Sequence, residues 1–318
     1  MDMQPKTLQE AVIYFSNPAN CLDYMLAWRW PNGVVTCPTC GSSKVKFLGN
    51  QGRWQCSSHH AKRQFSAKVG TIMEDSPISL DKWLVAMWLI VNCKNGISSC
   101  EIARALGVTQ KTAWFMDHRI RLTMQDEYAT GKLGGEVEAD ETFIGGKARN
   151  MHKSKRERRI TGTGGKDKTA VIGLLERGGK VRTKVISSRK KKELHAEVKK
   201  HVEAGAALYT DALMSYRGLE TDFVHRVVDH AVEYVNGRIH TNGLENFWSL
   251  LKRGINGTYV SVEPFHLFRY LDEQSFRFNN RKTTDAKRFS MAGMGLTGKR
   301  VTYKELTGKS SSTGMPLC

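Results

Sequence analysis

Two short runs constrain this chain more than anything else in it: "CPTC" at 37–40 and, after fifteen intervening residues, "CSSHH" at 56–60. Zinc takes four nitrogen or sulfur ligands in a tetrahedron, and a Cys-x2-Cys turn presents two thiolates from one knuckle. The second run adds Cys56 and a histidine, at the spacing of a zinc ribbon. His60 is the expected fourth ligand and His59 its alternative. A closed site of three cysteines and one histidine leaves no open position, so its Zn2+ is structural. Three of the seven cysteines cluster here, which argues for a reducing compartment rather than a disulfide framework. Cys93, Cys100 and Cys318 read as plain thiols.

A chain of 318 residues suits two or three domains. Its 49 Lys+Arg against 31 Asp+Glu leave a net charge of +18, which attracts polyanions, nucleic acid first among them. Trp54, Arg53, Lys62 and Arg63 are then placed for the ribbon to touch DNA. The opening "MDMQPKTLQEAVIYF" has no basic segment ahead of an apolar run, and "WLVAMWLIV" at 83–91 is about half a membrane span. The expectation is a cytoplasmic protein, associated with the nucleoid when bound to DNA, with no membrane partner.

Residues of about 76–127 read as helical, from a Ser-Pro start to Asn95-Gly96 and beyond. Within them "ISSCEIARALGVTQKTAWFMDHRIRL" has the cadence of a helix-turn-helix. Ile102, Ala103 and Leu106 face inward, Gly107 turns the chain, and Thr109 caps a second helix packed through Val108 and Ala113. That helix would offer Gln110, Lys111 and Thr112 to bases or phosphates.

From about 135 to 283 strand-like and helix-like segments alternate. "GGEVEADETFIGG" is a strand between glycines. "KARNMHKSKRERRITGTGGKDK" follows, with no apolar periodicity; it reads as a mobile loop whose Lys155, Arg156, Arg158 and Arg159 contact DNA backbone. Its glycines do not form a phosphate-binding loop, so no ATP requirement is expected. "TAVIGLLERGGKVRTKVIS" is a hairpin turning at Gly178-Gly179. An amphipathic helix ending at Gly205, a strand "AALYTDAL", a short strand "RVVDH" and a helix from Thr241 complete the zone, and the segment from about 290 reads as a Gly/Ser-rich tail.

On the last of those helices Leu244, Phe247, Trp248, Leu250 and Leu251 share one side, while Asn242, Glu245, Ser249 and Lys252 share the other. The strand alternation puts Glu136, Glu138 and Asp140 on one face, where three acids repel unless a cation joins them. Glu141 then points away and reads as structural. Asp211 closes another strand, a common site position in α/β folds. Carboxylates on two strands and a following helix suit Mg2+ or Mn2+, and two such ions about 4 Å apart can assist a phosphodiester displacement. His240 is close enough to hydrogen-bond there or to make a local cap; Tyr216, Arg217 and His225 remain unassigned neighbours.

Asp140 in "ADETFIGG", Asp211 in "YTDA", and Glu245 with Lys252 in "HTNGLENFWSLLKR" resemble the DDE-type transposases of insertion sequences. Glu245 lies 34 residues after Asp211 and Lys252 seven after Glu245, as in that superfamily. The ribbon, "FSAKVGTIMEDSPISLDKW" and "GTYVSVEPFHLFRYLDEQSFRFNNR" are similar to the subgroup with an N-terminal zinc ribbon, and the resemblance spans roughly residues 20–283. It implies an α/β chain: an RNase H-like domain, with a mixed central sheet flanked by helices, preceded by a small zinc ribbon and a helix-turn-helix region. The corresponding divisions are 1–72, 73–130, 131–285 and a tail of 286–318. It also implies binding of an element's terminal inverted repeats and target DNA, divalent-metal cleavage and strand transfer, and a homodimer or larger synaptic assembly. Asp140, Asp211 and Glu245 would hold the ions, with Asn242 the alternative third ligand, and Lys252 would meet a DNA phosphate as a point charge. A silenced, non-catalytic DNA-binding regulator and a nuclease without joining activity are the competing readings.

Overall fold

The computed structural model describes residues 4–125, 131–146, 152–159, 168–228 and 240–308, with backbone alone at Lys155, Arg158, Arg159 and Val228. The chain divides into two compact units, one of Met1–Cys93, Ile97–Gln125 and Thr283–Cys318, the other of Lys94–Gly96 and Asp126–Lys282.

The first unit opens with helices α1 (Leu8–Phe15) and α2 (Pro18–Arg29), whose N-termini are capped by the side chains of Thr7 and Asn17. A three-stranded antiparallel sheet follows, β1 (Val45–Leu48), β2 (Arg53–Cys56) and β3 (Gln64–Phe65). Helix α3 (Leu80–Asn92) carries the long apolar run and buries Trp83, Leu84, Met87, Trp88, Ile90 and Val91, so its all-round hydrophobicity marks a central helix. Among the described residues no helix is long and apolar enough to cross a membrane. Helices α4 (Ser99–Leu106) and α5 (Gln110–Thr123) are joined at Gly107, whose φ of 60° favours glycine. Ser98 and Glu101 form a capping box on α4, and the Thr109 hydroxyl accepts the Thr112 N–H on α5.

The second unit is a five-stranded sheet in the order β6-β5-β4-β7-β8. Its strands are β4 (Glu136–Ile144), β5 (Thr169–Glu176), β6 (Val181–Ile186), β7 (Ala207–Asp211) and β8 (Val224–Val228). The first three run antiparallel to one another, while β7 and β8 lie parallel to β4, so the sheet is mixed. The basic segment contains helix α6 (Lys153–Arg159) where a loop was expected; residues 147–151 and 160–167 lie outside the described residues. Helix α7 (Lys191–His201) buries Leu194 and Val198 with Val137, Ala139 and Leu208 on one side of the sheet. Helices α8 (Asn242–Arg253) and α9 (Leu267–Asn279) cover the other side, where Leu244, Phe247, Trp248, Leu267 and Leu271 pack with Val171, Leu175 and Ile144. The period-two alternation of β4 therefore sends Val137 and Ala139 towards α7, and Glu138, Asp140 and Thr142 towards α8.

The expected tail is largely structured. Helices α10 (Asp285–Met294) and α11 (Tyr303–Leu306) belong to the first unit. Phe289 of α10 packs its ring 5.0 Å from that of Trp88 and 5.6 Å from that of Phe15. The Arg119 guanidinium, buried on α5, donates to the carbonyls of Val301 at 3.2 Å and Glu74 at 2.9 Å. Few apolar residues in Gly-rich sequence make this packing, which is why periodicity does not reveal it. The end at 309–318, with Cys318, lies outside the described residues.

Candidate active site and zinc centre

Cys37, Cys40, Cys56 and His60 bring one ligand atom each to within 4.8 Å of all the others. The Cys37 Sγ to His60 Nε2 distance is 3.5 Å and the Cys40 to Cys56 Sγ distance 3.6 Å. Bonds of about 2.3 Å in a tetrahedron give ligand edges of about 3.8 Å, so the donor set fits Zn2+. The first knuckle closes through Gly41 N–H to the Cys37 carbonyl at 2.8 Å, with Gly41 at φ 73°. His60 Nδ1 lies 2.6 Å from the Ala61 carbonyl, which can only accept, leaving Nε2 for the metal. The His60 imidazole, first among several hydrogen bonds, pulls the Cys56 thiol down to about 6, towards the thiolate a metal needs. His59 is not in this cluster, nor are Cys93 and Cys100. Trp54 is a correction: it is buried, its ring 4.8 Å from Phe47 and 5.9 Å from Trp30, so it holds the ribbon together and offers nothing to DNA. Arg63 donates to the Cys56 carbonyl at 3.1 Å, while Arg53 and Lys62 are exposed.

In the second unit Ala139 is paired with Thr210 across the parallel β4 and β7, so Asp140, midway along β4, and Asp211, the last residue of β7, follow side by side. Opposite them α8 descends over β5 at Gly173, the partner of Asp140, where a Cβ would lie 2.6 Å from the Trp248 ring. The missing side chain admits the indole, whose Nε1–H donates to Asp140 Oδ2 at 3.0 Å. A cleft of about 480 Å³ opens here, lined by Asp140, Glu141, Thr142, Glu245, Trp248, Ser249 and Lys252. Asp211 is not part of that lining, but its charge acts on both Asp140 and Glu141, and its Oδ1 accepts the Leu213 N–H at 3.1 Å. Asn242, the first residue of α8, is exposed and outside the lining.

Burial pushes the Asp140 carboxyl up to about 6; the negative charges of Asp211 and Glu245 add to this, and the Trp248 hydrogen bond opposes it. Burial likewise raises Glu141 to about 7, against the hydrogen bond from Tyr216. Glu141 is thus a second correction. Strand alternation alone turns it away from Asp140, yet past the last β4–β7 pair, where β7 stops and β4 runs on, it lines the same cleft, backed by the fully buried Tyr216. Tyr216 itself rises well above its ordinary value, through burial first and then the Glu141 charge.

The cation expected beside the three acids is, for two of them, a side chain. Arg177 Nε lies 3.0 Å from Glu138 Oε1 and Nη1 3.5 Å from Glu136 Oε2. His240 joins that group, with Nδ1 3.5 Å from Glu138 Oε1, and does not line the cleft. His225 bonds Thr210 and Glu220 behind β7, and Arg217 follows the turn that carries Tyr216. On α5 Gln110 and Lys111 are exposed and Thr112 half-buried. Each has a partner in the chain: Gln110 donates to Ser99 at 2.9 Å, Lys111 sits 4.8 Å over the Tyr303 ring, and the Thr112 hydroxyl meets Thr109 at 2.8 Å. Arg156 is exposed on α6, whereas the side chains of Lys155, Arg158 and Arg159 lie outside those described.

Residues 132–279 match the family described as ISXO2-like transposase domain, and residues 16–61 the transposase zinc-ribbon domain. A protein in the transposable element ISH50 of Halobacterium salinarum is 28% identical over 241 residues, covering 72% of this chain and 80% of its own. A transposase-like protein of Haemophilus influenzae is 29% identical over 102 residues, 32% of this chain and 82% of its own. No solved structure matches the chain. Both matched segments coincide with the two centres built above, and the chain belongs to the insertion-sequence transposases that place a zinc ribbon ahead of an ISXO2-like transposase domain.

Proposed function

We propose that the protein binds the terminal inverted repeats of an insertion sequence and catalyses divalent-metal-dependent cleavage and strand transfer through an RNase H-like DDE domain. One observation carries the reading: Asp140 and Asp211 lie side by side on adjacent parallel strands, β7 ending at Asp211, and Glu245 and Lys252 face Asp140 from α8 across one cleft. The antiparallel-then-parallel order of the sheet supports the RNase H-like assignment. Buried carboxylates that raise one another's proton affinity fit a divalent cation, and their hard oxygens suit Mg2+ or Mn2+. When bound, two such ions polarise a phosphodiester and lower the proton affinity of the attacking oxygen. Glu245 is the third ligand in this reading, because it lines the cleft and its charge, like that of Asp211, acts on Asp140.

Lys252 meets a DNA phosphate beside the carboxylates and holds the scissile bond in line. Water first attacks a phosphodiester at the element end and frees a 3′-hydroxyl. That hydroxyl then attacks target DNA, one P–O bond forming as one breaks, so no ATP is consumed. Exposed Gln110 and Lys111 with Thr112, and the basic helix bearing Lys155, Arg156, Arg158 and Arg159, supply further DNA contacts. Two ends must be held together, so the working form is a dimer or larger synapse. Supercoiled DNA carrying the repeats that flank the gene tests the reading. Mg2+ should yield cleaved and joined products; cleavage alone would identify a nuclease, and binding alone a regulator.

The raised carboxyls carry a pH signature. Their folded-state values, about 6 and about 7, exceed the ordinary 3.8 and 4.5, so the folded chain holds more protons between about pH 4 and 7. Stability without metal therefore falls as pH rises through that window, by roughly 3 kcal/mol for Asp140. Mg2+ restores it where the groups are ionised. The melting temperature should rise by several degrees with 10 mM Mg2+ at pH 8 (about 1 kcal/mol moves it a few degrees) and barely change at pH 5. Equal shifts at both pH values would contradict this account.

A further inference from the structure

Thr241, at the N-cap of α8, makes no side-chain cap hydrogen bond. The helix is capped instead from the sheet. Glu138 is 1% exposed, and its Oε2 accepts the backbone N–H of Leu244 at 3.0 Å. Its other oxygen takes Arg177 Nε at 3.0 Å. Arg177 Nη2 in turn donates to the His240 carbonyl at 2.7 Å, gripping the chain just before α8. The guanidinium lies 4.2 Å over the Tyr209 ring, and the Tyr209 hydroxyl donates to Glu136 at 3.0 Å. A carboxylate at a helix N-terminus is favourable both as acceptor and against the helix dipole.

Close approach is built in at the same point. A Cβ on Gly243 would lie 2.6 Å from Leu175 Cδ2 and 2.8 Å from Glu138 Oε2, so any side chain here must displace those two side-chain ends or lift α8. Glu138 stands two residues before Asp140 on the same face of β4, and Leu244 immediately precedes Glu245. Resting on the proposed metal site, we infer that Glu138, Arg177 and Gly243 are positioning residues. Together they fix the depth and rotation of α8, and thereby the separation of the Glu245 and Asp140 carboxylates.

The test uses the full-length, zinc-loaded chain with Glu138→Gln, Arg177→Lys and Gly243→Ala. Glutamine turns an amide N–H towards Arg177 or Leu244; lysine keeps the charge but loses the fork; alanine pushes the helix outward. Each variant should exchange the amides of 241–253 about tenfold faster, while zinc content and exchange in α7 stay as in the unmutated chain. Mn2+ affinity, read by electron paramagnetic resonance of the free ion, should weaken about 10-fold, and kcat should fall by about 10- to 100-fold with DNA-end affinity unchanged. Arg177→Lys is the mildest change and keeps the test open should either of the others fail to fold. Unchanged exchange in α8, or faster exchange with Mn2+ affinity and kcat intact, overturns the inference. Asp140→Asn run beside them isolates the underlying reading: if that variant binds Mn2+ as tightly as the unmutated chain, the metal site itself is wrong.

Discussion

Asp140→Asn should abolish cleavage and joining together, by on the order of a thousandfold or more, while binding of element ends stays within about a factor of two. Asp140 is the carboxylate on which the cleft converges. Its Oδ2 takes the Trp248 indole N–H, its Oδ1 takes the Glu141 backbone N–H at 2.8 Å, and the charges of Asp211 and Glu245 both act on it. Asparagine keeps the size but removes the charge that would hold a cation. Losing about 4 kcal/mol of transition-state stabilisation corresponds to that thousandfold drop. The isosteric change also relieves mutual repulsion among the acids, so the variant should melt at or above the temperature of the unmutated protein at pH 8 without Mg2+. Cleavage of repeat-bearing supercoiled DNA, with end binding measured in parallel by gel shift, checks it. Retained cleavage would remove Asp140 from the mechanism.

The second large effect is expected at the ribbon. Cys37→Ser should lower zinc from one ion per chain to near none, expose residues of about 37–65 to proteolysis and weaken end binding at least tenfold. The ribbon strands are four, four and two residues long, too short to hold together by packing alone. Zinc contributes roughly 10–16 kcal/mol in comparable small sites, as much as the stability of a whole domain. His60→Ala should behave like Cys37→Ser, whereas His59→Ala should keep its metal, because only His60 stands within the ligand cluster. Metal content by mass spectrometry decides both. Full zinc in Cys37→Ser would refute the ligand assignment.

Composition and spacing alone determined the zinc knuckles, the two capped helices around Gly107, the hairpin at Gly178-Gly179 and the amphipathic face of α8. Each rests on short-range chemistry that a sequence displays directly: ligand spacing, a hydroxyl ahead of a helix, a left-handed glycine, a period of 3.6. Tertiary structure alone decided the rest. Whether a strand-face acid meets a metal or an arginine depends on which element crosses above it, and Arg177 reaches Glu138 across 39 residues of chain. Glu141 enters the cleft because β7 stops at Asp211 while β4 runs on to Ile144, which leaves that edge of β4 without a parallel neighbour. Trp248 reads in sequence as one more core aromatic; its hydrogen bond to Asp140 exists because Gly173, on a different strand, leaves the space. Helix α10 and the chain leading into α11 at Val301 draw their stability from distant partners such as Trp88 and Arg119, and contacts so far apart along the chain leave no local pattern to read.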